Sequence, residues 1–271
     1  LSLEMKKSMY INRTKGLAFE YFLKNLMEGR IDKGDKIRQK LSLLDYTVKE
    51  NIYVLAVDIH EFDRTMITLE FLKNEFESMI PGAKSIAYND YIVIIISRSK
   101  DNPVTEESME KLNEFFIEHK IFGGLSNCFH DPGEIKRHFE QAARAISLGK
   151  RFIKEKALFF YKDLLLEEII DILEKHRKPE DLCSPALIEL LRYDRENNTQ
   201  YALTLYHFLN NERNIIRTAS SLFTHRGTVI YRIKRIQEIT GIDLDDSKTR
   251  LQLMLSYEIL ANCSENAGLF L

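Results

Sequence analysis

Between His225 and Gly241, four cations (Arg226, Arg232, Lys234 and Arg235) stand against one acid, Glu238. The local charge is +3, in a chain whose formal net charge is −2. Two hydroxyl side chains, Thr228 and Tyr231, are interleaved with the cations. Arginine makes paired hydrogen bonds to guanine edges or clamps phosphates, and Thr and Tyr hydroxyls bond phosphate oxygens. The spacing adds a helical period: Val229, Ile233, Ile236 and Thr240 recur every three or four residues and define a buried stripe. Arg226, Thr228, Tyr231, Arg232 and Arg235 are left on the other faces, with His225 and Lys234 nearby, and the helix N-terminus favours a phosphate. A shorter helix pattern upstream breaks at Phe223–His225. It carries Ala219 for close approach and Ile215 and Leu222 for its core face. The pair has the form of a helix-turn-helix that sets a positive helix end in a DNA groove. Solvated basic helices of ordinary bundles share this charge pattern. Phe223 also occupies the turn where glycine is often found, so the residues alone leave both readings open.

A second constellation invites phosphoryl chemistry. V-L-A-V-D-I-H-E-F, Val54–Phe62, looks like the first strand of GGDEF domains, where D-x-D-x-F sets carboxylates near Mg²⁺ bound to nucleotide phosphates. Two-metal catalysis needs several hard oxygen ligands converging on the ions. Asp58 and Phe62 match, but the second acidic position is His60, a poor Mg²⁺ ligand. Where a cyclase carries G-G-D-E-F, this chain has A-Y-N-D-Y, Ala87–Tyr91, and Gly123-Gly124 opens a later strand. Strand-end solvation is the favoured reading of Asp58 and Glu61. His60, His119, His130 and His138 lack metal-ligand spacing and read as surface or hydrogen-bonded histidines. Ser126 and Cys128 lack a nucleophile elbow. No catalytic residue, metal site or cofactor is expected, and the chain is read as not an enzyme.

The elements that must position these residues follow from composition and period. With 271 residues, 44% hydrophobic and 30% charged, the chain suits one large or two modest domains with real cores. Cys128, Cys183 and Cys263 form no C-x-x-C pair, which fits a reducing cytoplasm. Apolar runs such as Tyr91–Ile96 are too short to span a bilayer, so no membrane partner is expected. Lys15–Arg30 has a helical period closed by Gly29, and its stripe Phe19, Phe22, Leu23, Leu26 and Met27 is core or dimer interface. A second helix is predicted over Asp35–Leu44. Strands are predicted at Ile52–Ile59, Lys84–Tyr88, Tyr91–Ser97, Ile121–Phe129 and Ala157–Tyr161. Helices are predicted at Thr68–Ile80, Thr105–His119 and Pro132–Leu148, the last closed by Gly149. The β-α-β-β-α-β order implies a ferredoxin-like sheet with helices on one face. Beyond it come a helix at Asp163–His176 and a Pro-containing break. Further helices are expected near 186–193, 200–210, 215–222, 226–240 and 247–261, and then a tail without periodicity.

From Ser184 to Leu260 the chain resembles the C-terminal DNA-binding domain of PucR-type regulators, which include the carbohydrate diacid regulators. The matching runs are S-P-A-L-I-E-L-L-R-Y-D, T-L-Y-H-F-L-N-N, T-A-S-S-L-F-T-H-R-G-T-V-I-Y-R-I-K-R-I-Q-E-I-T-G and L-D-D-S-K-T-R-L-Q-L-M-L-S-Y. The family usually shows H-R-N-T-V-x-Y-R-L; here Gly227 replaces the Asn and Ile233 the Leu. G-G-L-S-N and the helix D-P-G-E-I-K-R-H-F-E-Q-A-A-R-A-I-S-L-G resemble the degenerate GGDEF-like domain of the same regulators. The resemblance implies an α+β chain: a degenerate GGDEF-like (ferredoxin-like) sheet domain, then an all-α helix-turn-helix domain. The expected boundaries are 1–50 for an N-terminal helical segment, 51–162 for the GGDEF-like domain and 163–198 for connecting helices. The helix-turn-helix domain is then 199–262 and the tail 263–271. By resemblance, His225, Arg226, Thr228, Tyr231, Arg232 and Arg235 are the DNA-facing candidates, with Tyr231 alternatively packed on the preceding helix. The implied partners are double-stranded DNA, a second copy in a homodimer or higher homo-oligomer, and an effector that no residue identifies. Because the first residue is Leu1 rather than Met, a sensor domain is expected upstream.

Overall fold

The computed structural model describes residues 3–31, 36–62, 68–153 and 155–262. The expected tail, Cys263 and the start of the second helix at Asp35 lie outside the described residues. The chain divides into two compact units, Leu1–Glu167 and Glu168–Leu271.

The first unit runs α1 Leu3–Met27, α2 Lys36–Leu43, β1 Asn51–Asp58, α3 Leu69–Met79, β2 Lys84–Tyr88 and β3 Tyr91–Arg98. It continues with α4 Glu106–His119, β4 Phe122–Leu125, α5 Ile135–Phe152 and β5 Leu158–Phe160. Sheet order is β2-β3-β1-β4-β5. β1 is antiparallel to β3 and β4, and β5 pairs parallel with β4. The segment from β1 to β4 is the expected ferredoxin-like unit. Helices do not lie on one face, however. Tyr53, Leu55, Val57, Ile92, Ile94 and Ile96 pack against Leu72 and Phe76 of α3 and Leu112 and Phe116 of α4. Ile52, Val54, Ala56, Val93 and Ile95 pack against α1, α2 and α5. Six consecutive residues of both β1 and β3 are therefore buried. An unbroken apolar run is what a strand covered on both sides requires, whereas a strand with one wet face alternates.

Helix starts follow local chemistry. The Thr68 and Thr105 hydroxyls accept from the Phe71 and Ser108 amides, each satisfying one of the donors a helix start leaves unpaired. α1 ends as expected at Gly29, whose φ of +73° lets Arg30 N donate to Asn25 O. The Phe19–Met27 stripe on α1 is intrachain core. Gly149, expected as a C-cap, instead lies inside α5, where an added Cβ would stand 2.2 Å from the Phe159 ring. β4 is shorter than expected. Ser126 N and Phe129 N donate to Val54 O and Ile52 O, so three residues advance against two on β1 and the strand bulges at Asn127-Cys128.

The second unit is all-α among the described residues: α6 Leu165–Glu174 enters it from the junction, followed by α7 Pro185–Asn197, α8 Tyr201–Asn210, α9 Ile215–Ser221, α10 Arg226–Thr240 and α11 Ser247–Asn262. Leu187 and Leu190 of α7, Leu205 of α8, Val229 and Ile236 of α10, and Leu253 and Tyr257 of α11 are buried. The Tyr257 hydroxyl donates to Ala202 O at 2.8 Å, which satisfies the one polar atom of the largest fully buried side chain. The Asp194 carboxylate near the end of α7 accepts from the Tyr201 and Ala202 amides at 2.8 and 2.7 Å. A negative group on a helix N-terminus is stabilising there, and it ties α8 to α7.

Candidate nucleic-acid interface

α9 is capped by Asn214, whose side-chain oxygen accepts from both Ile216 N and Arg217 N at 3.0 Å. Its small residue Ala219 is buried, as expected for the seam with α10. The turn reverses at Phe223, with φ of +49°. Thr224 N donates to Ala219 O at 2.9 Å and Val229 N to His225 O, which starts α10. Phe223 is 98% exposed, so a bulky residue is held in the left-handed region with no packing in return. The far end of α10 stops at Gly241, and the loop after it is clamped: Arg213 donates to Asp245 Oδ1 at 2.6 Å, and Arg250 to Leu244 O and Asp245 O. The helix-turn-helix is thus fixed at both ends.

Of the expected buried stripe, Val229 and Ile236 are buried, and Ile233 and Thr240 half-buried. The six candidate residues divide. His225, Arg226 and Tyr231 are exposed, while Thr228, Arg232 and Arg235 are half-buried. Arg232 Nη1 donates to Thr204 Oγ1 of α8 at 3.0 Å. Arg235 pairs with Glu238 at 2.7 Å; Glu238 first and then Tyr193 of α7 hold its guanidinium further into the charged form. Tyr231 is exposed; burial first and then the nearby Tyr231 push the Tyr201 hydroxyl above the ordinary tyrosine range. Arg232 and Arg235, expected to face DNA, are thus half-buried with partners inside the domain.

The face left open carries Arg226, Ile230 and Lys234 at four-residue spacing, flanked by Gly227 and Tyr231. Successive members advance about 40° around the helix and about 6 Å along it, so they form one stripe. Neither Arg226 nor Lys234 has an ion-pair partner among the described residues. Ile230 was absent from the candidates because an isoleucine reads as core, yet it is 52% exposed. The signal that places it outward is its i+4 spacing from Arg226 and Lys234, out of phase with Val229 and Ile236.

In the sheet domain the Asp58 carboxylate is already committed. Its Oδ1 accepts from His60 N at 3.0 Å, and its Oδ2 meets Lys150 Nζ of α5 at 3.3 Å. The same ammonium lies 4.9 Å from the Phe122 ring centroid. A cation built into the fold thus stands at the carboxylate that would have to face a metal. Gly123 and Gly124 do structural work in β4, where added Cβ atoms would strike Phe116 and the Ala142 carbonyl. His60 is exposed beside Asp90, and His130 Nδ1 bonds Glu50 O, as a surface reading requires. His138 is a true core residue stacked on Phe129 at 4.0 Å.

Comparison with known proteins bears on both units. The PucR C-terminal helix-turn-helix domain matches residues 201–259, and the GGDEF-like domain matches residues 28–148. The carbohydrate diacid regulator of Escherichia coli (strain K12) is 30% identical over 160 residues, 57% of this chain and 41% of that protein. The DNA-binding transcriptional activator AdeR of Bacillus subtilis (strain 168) is 22% identical over 271 residues, 96% of this chain and 62% of its own. The proline-responsive transcriptional activator PutR of the same organism is 25% identical over 227 residues, 79% of this chain and 55% of its own. The chain therefore spans between 41% and 62% of the length of these relatives. The chain thus carries a GGDEF-like domain followed by a PucR C-terminal helix-turn-helix domain, and in that order it is similar to regulators of the PucR and carbohydrate diacid type.

Proposed function

We propose that this chain is the DNA-binding and signal-relaying part of a sequence-specific transcriptional regulator. The observation that carries the reading is the open stripe Arg226–Ile230–Lys234 on the second helix of a rigid helix-turn-helix. His225, Arg226 and Tyr231 face DNA directly, and Thr228 borders the contact. Arg232 and Arg235 set the helix against α7 and α8. The partner is double-stranded DNA in the cytoplasm, bound by a homodimer, because one short helix reads few base pairs and two-fold symmetry doubles the contacts. Residues 51–162 are the GGDEF-like domain and 199–262 the reader. Residues 1–50 and 163–198 relay an effector signal from a sensor upstream, in keeping with a relative described as proline-responsive. In this reading the sheet domain performs no phosphoryl transfer: Asp58 is paired with Lys150, and His60 stands at the second acidic position. No helix among the described residues is long and apolar enough to cross a membrane.

Nuclease footprinting on the DNA upstream of the protein's own gene tests this. Protection of two half-sites about one helical turn (10–10.5 bp) apart is expected. Binding that stays uniform along the fragment, with no protected site at any concentration, refutes sequence-specific reading.

A further inference from the structure

We infer that Ile230 reads the 5-methyl group of a thymine in the major groove, and that Gly227 is the gap that lets it reach. The inference rests on the DNA reading above and assigns its base-specific contact. Two features of α10 are unfavourable for the domain by itself. Ile230 is a β-branched residue in a helix, 52% exposed, gaining little from burial and losing rotamer freedom. Gly227 lies within the first turn of the same helix, has no positive φ, and an added Cβ would meet nothing within 4 Å. Neither backbone conformation nor packing therefore calls for glycine there, and glycine weakens a helix relative to alanine. The two positions are three residues apart, so they share one exposed face and are neighbours on it.

A close external surface accounts for both. Removing the side chain at 227 lets the first turn of α10 sink toward the base edges, and the apolar group one turn later then meets an apolar group. Among base edges in the major groove, the thymine 5-methyl is the apolar one. Arg226 and Lys234, one turn to either side and without ion pairs among the described residues, suit the flanking phosphates or guanines. An occupant with this order of charges, cation, methyl acceptor, cation, fits a polyanion bearing methyl groups better than an apolar protein surface.

The test uses the whole chain. A binding site is first selected from a randomised duplex library by the wild-type protein. Each thymine of that site is then replaced in turn by deoxyuridine, which removes only the methyl. At one thymine per half-site, wild-type affinity is expected to fall about three- to ten-fold, the factor for exposing one methyl and its aliphatic partner. Ile230→Ala should bind the thymine site more weakly by a similar factor and be indifferent to deoxyuridine at that position. Gly227→Ala should melt at a higher temperature yet bind less tightly. If both proteins give the same deoxyuridine profile, or if Gly227→Ala binds as well as wild type, the inference is overturned while DNA binding stands. Failure of the library to enrich any sequence overturns the DNA reading and this inference with it. Melting curves of Ile230→Ala keep a folding defect from passing as lost recognition.

Discussion

The sharpest consequence of the α10 geometry is that its four cations should separate into two functional pairs. Arg226 and Lys234 are exposed and without ion pairs among the described residues, whereas Arg232 bonds Thr204 and Arg235 pairs with Glu238. Each cation that neutralises a phosphate contributes about 0.9 to the slope of log affinity against log salt. Arg226→Ala with Lys234→Ala should therefore lower that slope by about 1.8 per bound protomer and, at 0.1 M salt, weaken binding about 60-fold. Arg232→Ala with Arg235→Ala should leave the slope near wild type and act on stability instead. Losing the Arg232–Thr204 hydrogen bond costs about 1 kcal/mol, and the solvent-screened i,i+3 pair with Glu238 adds little. The double variant should lower unfolding stability by about 1 kcal/mol in urea. Fluorescence anisotropy on one labelled duplex between 50 and 300 mM salt, beside urea unfolding of each protein, reads both quantities. The opposite partition, with the slope lost from the Arg232/Arg235 variant and kept by the other, would refute the assignment of faces.

Three further expectations follow from the packing. Phe223→Asn removes a bulky residue from the left-handed region at a site with no contacts to lose, and should raise stability by about 0.5–1 kcal/mol, a Tm gain of about 3 °C; an unchanged or lower Tm would contradict the strain. Gly149→Ala gains about 1 kcal/mol in helix propensity but forces a Cβ into the Phe159 ring, an overpacking cost of about 1–3 kcal/mol. A net loss is expected on urea unfolding, partly recovered when Phe159→Leu is added, and a stabilised single variant would show that the contact relaxes freely. His138 is held below its ordinary pKa chiefly by burial, against the opposing pull of Glu134. Its folded state resists a proton that the unfolded chain accepts, so the stability contribution is complete above about pH 6.5 and is lost as pH falls below it. His138→Gln should flatten that part of the stability–pH curve of the sheet domain, and an identical curve would place the dependence elsewhere.

Much of this architecture was legible because single residues carry single physical demands. Thr68 and Thr105 mark helix starts, Gly29 marks an end, and the two residues Asn89-Asp90 join strands paired at Tyr88 and Tyr91. The helix period of α10 also located its buried stripe. What the period could not supply was which of the remaining faces meets α7 and α8, since that depends on helices distant in the chain. Arg232 and Arg235 looked equivalent to Arg226 for that reason, although Glu238 three residues after Arg235 was a local sign of an internal pair. Gly149 misled because a glycine near a helix end is more often a cap than a contact. The second layer over the sheet was written in β1 and β3, whose runs fail to alternate; the element order suggested one layer and the burial period required two.

The run Tyr91–Ser97 in β3 has a consequence beyond the native fold. In the sheet it is shielded along both edges by β1 and β2 and on both faces by helices. As free chain it is seven uncharged residues, dense in isoleucine and without proline, the composition that stacks into intermolecular zippers. Asp90 and Arg98 stand at its two ends as the only gatekeepers next to it. Safety from aggregation thus depends on how seldom the sheet opens, which is a matter of unfolding rate more than of equilibrium stability. The persistence of the closed sheet is therefore a property of this domain distinct from the depth of its native minimum.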